Sequence, residues 1–136
     1  MSHSFGAAIL VGIGGFAGAV SRYGVSMAMR NFSASWPTGT LAANILGCLL
    51  IGMIAAFSAR GEWLTPELRL MLATGFCGGF TTMSSMIYET AEMLRGSEYL
   101  LAAMYVVGTL ILSMAAFIAG ILAVRLLFRI GGGAWN

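Results

Sequence analysis

Three groups of polar residues in this sequence have the types and spacing to handle a small ion. Thr40 and Asn44 stand one helical turn apart, with Gly47 on nearly the same face. The asparagine amide carries two N–H donors, and in an apolar setting both need partners. It serves either as a hydrogen-bond clamp between helices or as a place on an ion path. Tyr105, Thr109 and Ser113 recur every four residues, which makes a hydroxyl stripe along about 12 Å of helix at 1.5 Å per residue. Hydroxyls donate to anions, and in membrane helices they also bond their own backbone carbonyls. The third group is Gly75-Phe76-Cys77-Gly78-Gly79-Phe80-Thr81-Thr82. A glycine pair followed by two threonines either breaks a helix or packs it closely against a neighbour. Unwound backbone at bilayer depth is tolerated where it is buried in protein or lines a hydrated cavity, and there it presents carbonyls to cations and helix termini to anions. Arg22 completes the set, as an anion attractor or a snorkelling interface residue.

These groups need a scaffold, and composition names its class. The 136 residues are 59% hydrophobic and 9% charged, with a mean hydropathy of +0.89, against about 25% charged in an ordinary soluble domain. A soluble enzyme is excluded. Four apolar blocks, about 5–21, 38–57, 68–88 and 99–128, each approach the roughly 20 residues that a bilayer-spanning helix needs. The expected fold is all-α, a single four-helix transmembrane domain over residues 1–136 with helix three broken near its middle. A barrel would require alternating polarity that continuous apolar runs lack. The uncharged Met1-Ser2-His3-Ser4 start lacks a basic flank, so the first block is expected to be a retained span.

The connections carry local signals. Thr65-Pro66-Glu67 places an N-cap, a proline at the first helical position and an acid in the first turn, and so starts helix three. The stretch from Glu89 to Glu98 reads as the most polar connection, and the run Gly131 to Gly133 as a flexible tail. Trp36, Trp63, Tyr88, Tyr99 and Trp135 are expected near helix ends, at the membrane interfaces. Gly14 and Gly18 form a GxxxG, and Gly39, Ala43 and Gly47 repeat small residues every fourth position, a pattern that lets helices approach closely in lipid.

Charge and cysteine content narrow function further. With both termini on one side, Arg60, Arg69, Arg125 and Arg129 face Arg22, Arg30 and Arg95. A score of four to three leaves orientation nearly undetermined, through burial of some arginines or through insertion in both directions. The arginines are too scattered for a nucleic-acid patch. Cys48 and Cys77 have no CxxC spacing and read as packing residues. None of the four apolar blocks contains Asp, Glu or Lys, so proton-coupled antiport has no evident carrier. A path of glycine carbonyls, hydroxyls and amides suits an uncharged-wall conduit for a small ion.

At this point the sequence resembles the Fluc family of fluoride channels, the CrcB type. Gly14-Gly15-Phe16-Ala17-Gly18-Ala19-Val20-Ser21-Arg22-Tyr23 is similar to its helix-one signature, Gly39-Thr40-Leu41-Ala42-Ala43-Asn44-Ile45-Leu46-Gly47 to that of helix two, and Gly75 to Met86 to its broken helix three. The resemblance implies an antiparallel, dual-topology homodimer in the cell inner membrane, exporting fluoride passively through two pores. It implies a central sodium ion on the backbone carbonyls of Gly78 and Thr81, and a fluoride pathway using Arg22, Thr40, Asn44, Met83, Ser85, Met86, Tyr105, Thr109 and Ser113. Its partners are then fluoride, lipid and a second copy of itself, and not nucleic acid.

One departure stands out. The family pattern has phenylalanines where this sequence has Met83 and Met86, three apart and hence expected on one face. Methionine keeps apolar bulk but loses the positive ring edge that an anion can meet. Two other functions fit a chain of this kind: a small dual-topology multidrug exporter, which needs a membrane carboxylate, and a non-transporting assembly subunit, in which the polar stripes are packing glue.

Overall fold

A computed structural model describes residues 2–31, 36–59 and 64–130, with side chains from residue 5 onward. Among them every regular element is helical. Helix α1 covers Ser2–Met29 and α2 Thr38–Ala59. The third span starts as α3 (Pro66–Arg69), continues as a π-helical stretch (Leu70–Cys77) and a short turn α4 (Gly78–Phe80), and ends as α5 (Met83–Arg95). Helix α6 covers Tyr99–Ile130. Four helical stretches among the described residues, Phe5–Met29, Thr38–Ala59, Pro66–Arg95 and Tyr99–Ile130, are long and apolar enough to cross a bilayer.

The start of the third span is the one the local residues dictate. Thr65 is extended, its hydroxyl accepts from the Leu68 amide at 3.2 Å, and Pro66 follows at the first helical position. The ends of the apolar blocks and the ends of the helices differ. Helix α1 runs past residue 21 to Met29, and α5 past residue 88 to Arg95. Polarity lowers hydropathy without breaking a helix, and between Met83 and Gly96 no glycine or proline occurs. The chain then turns sharply: the amides of Gly96 and Glu98 close on the carbonyls of Glu92 and Met93 at 3.0 and 2.9 Å, and Ser97 takes the left-handed conformation at φ 62°. Tyr88 therefore lies within α5 rather than at a helix end, while Tyr99 opens α6. Trp63, Trp135, Arg60, the Gly131 to Gly133 tail and the His3 side chain lie outside what is described.

Small residues set the packing. Gly14 and Gly18 of α1 lie against the backbone of the third span: a Cβ on Gly18 would run into the Phe76 carbonyl oxygen and come within 2.9 Å of the Phe80 amide. From the other side, a Cβ on Gly79 would meet the Gly15 carbonyl. Residues 14 and 18 face progressively later positions of the third span, so the two elements run in the same direction. Gly52 and Gly120 bring α2 and α6 equally close, against Phe117 and Leu49. On the outside, Phe5, Ile9, Ile13, Phe16 and Val20 of α1 and Leu110, Ile111, Met114 and Ile118 of α6 are exposed. Water does not tolerate continuous apolar faces of that extent, whereas lipid does.

Candidate ion-conducting site

The extended residues Thr81 and Thr82 (ψ 155° and 118°) separate α4 from α5, and the site is built around them. In a continuous helix the Thr82 amide would close on the Gly78 carbonyl. Here it donates instead to Asn44 Oδ1 at 2.7 Å, while Asn44 Nδ2 donates to the Thr82 carbonyl at 3.1 Å. One buried side chain on α2 thus satisfies both backbone groups of an extended residue. Gly47, one turn further along α2, leaves the space that the Thr81 methyl fills. Thr81 Oγ1 donates to the Cys77 carbonyl at 2.9 Å. Thr82 then caps α5, its hydroxyl accepting from the Ser85 amide and donating to Ser85 Oγ, both at 3.1 Å.

A second polar group lies on the side where α1 ends. Glu89 of α5 accepts two short hydrogen bonds at 2.6 Å, from Thr40 Oγ1 to one carboxylate oxygen and from the Tyr105 hydroxyl to the other. Tyr105 is fully buried, with Trp36 edge-on to its ring at 6.3 Å and Met86, Met93 and Ala102 packed around it. Hydrogen bonds to an ionised acceptor are roughly twice as strong as neutral ones, so α2, α5 and α6 are tied at one point. Glu89 was absent from the candidate residues, because polarity alone assigned it to a connection. The unbroken run of helix-compatible residues up to Gly96 is the signal that identifies it as part of the helix.

The other candidates fall out differently. Thr109 Oγ1 donates to the Tyr105 carbonyl of its own helix at 2.7 Å, the backbone-bonding alternative for the stripe. Ser113 Oγ is buried and has no hydrogen-bond partner among the described residues. Arg22 stands seven residues before the end of α1 and is half-buried, and no hydrogen bond or ion pair joins it to the cluster among the described residues. Met83 and Met86, neighbours on α5, have different surroundings: Met86 is 4% exposed in the core and Met83 69% exposed. Sixty degrees of helical rotation separates them, enough to put one on each side of a packing boundary.

The backbone at the interruption also bears on a cation. With the Thr82 amide held by Asn44, the Gly78 carbonyl loses its helical partner, and a Cβ on Gly78 would meet nothing of this chain within 4 Å. A carbonyl oxygen without a helical partner is a hard donor of the kind that suits an alkali cation rather than a soft metal, and the Gly78 carbonyl is one.

Comparison with known proteins follows the same lines. The model of the CrcB-like protein, Camphor Resistance (CrcB), family matches residues 9–121. A protein of Prosthecochloris aestuarii named fluoride-specific ion channel FluC is 46% identical over 125 residues, 92% of this chain and 98% of that protein. Proteins of the same name from Chlorobaculum tepidum and Rhizobium johnstonii are 46% and 43% identical over 87% and 88% of this chain, and 94% and 97% of their own lengths. A multi-pass membrane protein whose helices carry these polar groups, matched over most of its length by that family model, belongs to the CrcB family.

Proposed function

We propose that this chain is a passive fluoride-selective channel that lets fluoride leave the cell across the inner membrane. One observation carries the reading. Polar groups that would be costly in lipid are assembled inside an apolar bundle, at Asn44 with Thr82 and at Thr40 with Glu89 and Tyr105, in a chain 46% identical to a protein named for fluoride conduction. Fluoride is small and strongly hydrated, so a path must replace its water with closely spaced donors. The second N–H of Asn44 and the hydroxyls of Ser85 and Ser113, the last without a partner among the described residues, supply such donors, and the Thr40 and Tyr105 hydroxyls join them only by leaving Glu89. Met83 and Met86 supply apolar bulk that excludes larger, water-filled openings, and Arg22 adds positive charge two turns inside the end of α1.

The same reading makes the working unit an antiparallel, dual-topology homodimer. Its supports are the near-even arginine count and the open space in front of Gly78 and Met83. Crossing of two interrupted third spans would bring two sets of Gly78 and Thr81 carbonyls together, and these would hold one sodium ion. When bound, such an ion supplies a fixed positive charge that neutralises converging carbonyl dipoles. This chain's own contribution is the Asn44 clamp, which keeps those carbonyls from closing into helical bonds.

Glu89 favours a second reading, since a proton-coupled drug exporter needs a membrane carboxylate. Two hydroxyl donors from α2 and α6 already occupy both oxygens of Glu89, which suits a structural acceptor that ties three helices together. Purified protein in liposomes decides. Rapid fluoride efflux with little chloride efflux and no requirement for a proton gradient is expected. Fluoride efflux no faster than from empty vesicles would overturn the channel reading, and would leave the exporter or a non-transporting subunit.

A further inference from the structure

We propose that Arg30 collects anions at the mouth of the path, an inference that rests on the channel reading above. A cleft of about 190 Å³ opens where α1 ends and α2 begins. Arg30, Ser26 and Thr38 line it together with the buried Thr40 and with Glu89. It joins the exposed Arg30 to the Thr40 hydroxyl that Glu89 accepts. Arg30 is exposed. Its one side-chain hydrogen bond among the described residues goes to Met27 Sδ at 3.7 Å, a weak acceptor. At the same end of the bundle Arg95 pairs with Glu92 at 2.6 Å. A permanently charged guanidinium with five donors therefore stands at the cleft in no ion pair among the described residues.

Such a charge matters because of what else lines the cleft. An anion approaching Thr40 also approaches the Glu89 carboxylate, and the two repel. A cation at the rim offsets that field and raises the local anion concentration, as charge-lined clefts do for their ligands. Arg22, expected from the sequence to fill this role, does not line the cleft. The effect is long-ranged and screened by salt, over about 30 Å at 0.01 M and about 8 Å at 0.15 M ionic strength.

The test is fluoride efflux from uncharged phosphatidylcholine vesicles holding the purified full chain, at about 1 mM fluoride, in about 10 and about 300 mM potassium gluconate, concentrations chosen to span that screening range. Arg30→Gln is expected to lower the rate about three- to tenfold at low salt and to match the unaltered protein at high salt. Arg30→Lys keeps the charge and is expected to keep the rate at both. Arg95→Gln removes the same charge from the same end of the bundle outside the cleft, and is expected to change neither rate. The inference is overturned if Arg30→Gln shows the salt dependence of the unaltered protein, if it loses flux equally at both salts, or if Arg95→Gln has the same effect. Absence of efflux from the unaltered protein would instead sink the channel reading, and this inference with it.

Discussion

Asn44 and Glu89 perform opposite tasks with similar chemistry. Asn44 uses one donor and one acceptor to hold an extended residue, a pairing that only an amide completes. In Asn44→Asp the donor becomes a second acceptor facing the Thr82 carbonyl, leaving buried groups mispaired at a cost of about 1–3 kcal/mol. It also places negative charge beside the path. Fluoride efflux per folded protein is expected to fall by at least about tenfold, the equivalent of about 1.4 kcal/mol; efflux equal to that of the unaltered protein would remove Asn44 from the path. Glu89 is an acceptor for two hydroxyls, and Gln preserves that pattern with the phenol bond reversed, whereas Ala orphans both. Glu89→Gln is expected to keep efflux within about threefold, while Glu89→Ala loses the stabilisation of two charge-assisted bonds, about 1.5–3 kcal/mol each. Equal behaviour of the two variants in efflux and in unfolding by denaturant in detergent would refute the acceptor role. The difference in how visible these residues were is physical. A lone asparagine between apolar residues announces itself, whereas Glu89 beside Thr90 and Glu92 reads as solvated until the partners 49 and 16 residues away are known. At Met83 and Met86 a separation of three fixes an angle but not where the packing boundary falls.

Helices of this chain are held by backbone proximity more than by interlocking side chains. Gly14, Gly18, Gly75 and Gly79 let α1 and the third span touch main chain to main chain, and in lipid such contact replaces the hydrophobic drive that water provides. The GxxxG spacing made this legible in the sequence, as the threonine, proline and acid made the start of the third span. Less legible was which glycines matter. Gly24 has nothing within 4 Å of an added Cβ, whereas Gly18 would meet the Phe76 carbonyl. Gly18→Ala is therefore expected to destabilise by about 1–3 kcal/mol through overpacking, and Gly24→Ala to stabilise by up to about 1 kcal/mol through helix propensity. Denaturant titration in mixed micelles compares the two, and a similar effect of both would mean that α1 does not seat as described. The π-helical stretch Leu70–Cys77 left no trace in the sequence. It precedes the interruption that Asn44 holds, and π-helical turns inside α-helices are frequent at functional sites.

For the molecule as a whole, the decisive quantity is the near-even distribution of arginine between its two ends. An arginine excess of one gives the insertion machinery little to act on, and a chain that enters both ways can pair with its own inverted copy. If the pair is the channel, orientation and activity must be linked. Three arginines appended after Asn136 should bias every copy one way, and Glu92→Arg with Glu98→Arg, combined with Arg69→Gln and Arg129→Gln on the opposite side, should bias every copy the other. Of these changes, Glu92→Arg removes only a surface ion pair of small worth. Each biased form expressed alone is expected to lose fluoride efflux, because no inverted partner is present. Both expressed together supply the two orientations and are expected to restore it. Side-specific labelling of a cysteine at each chain end checks that the bias took hold. Full activity from either form alone, with every copy facing one way, would show that inverted pairing is not needed for conduction.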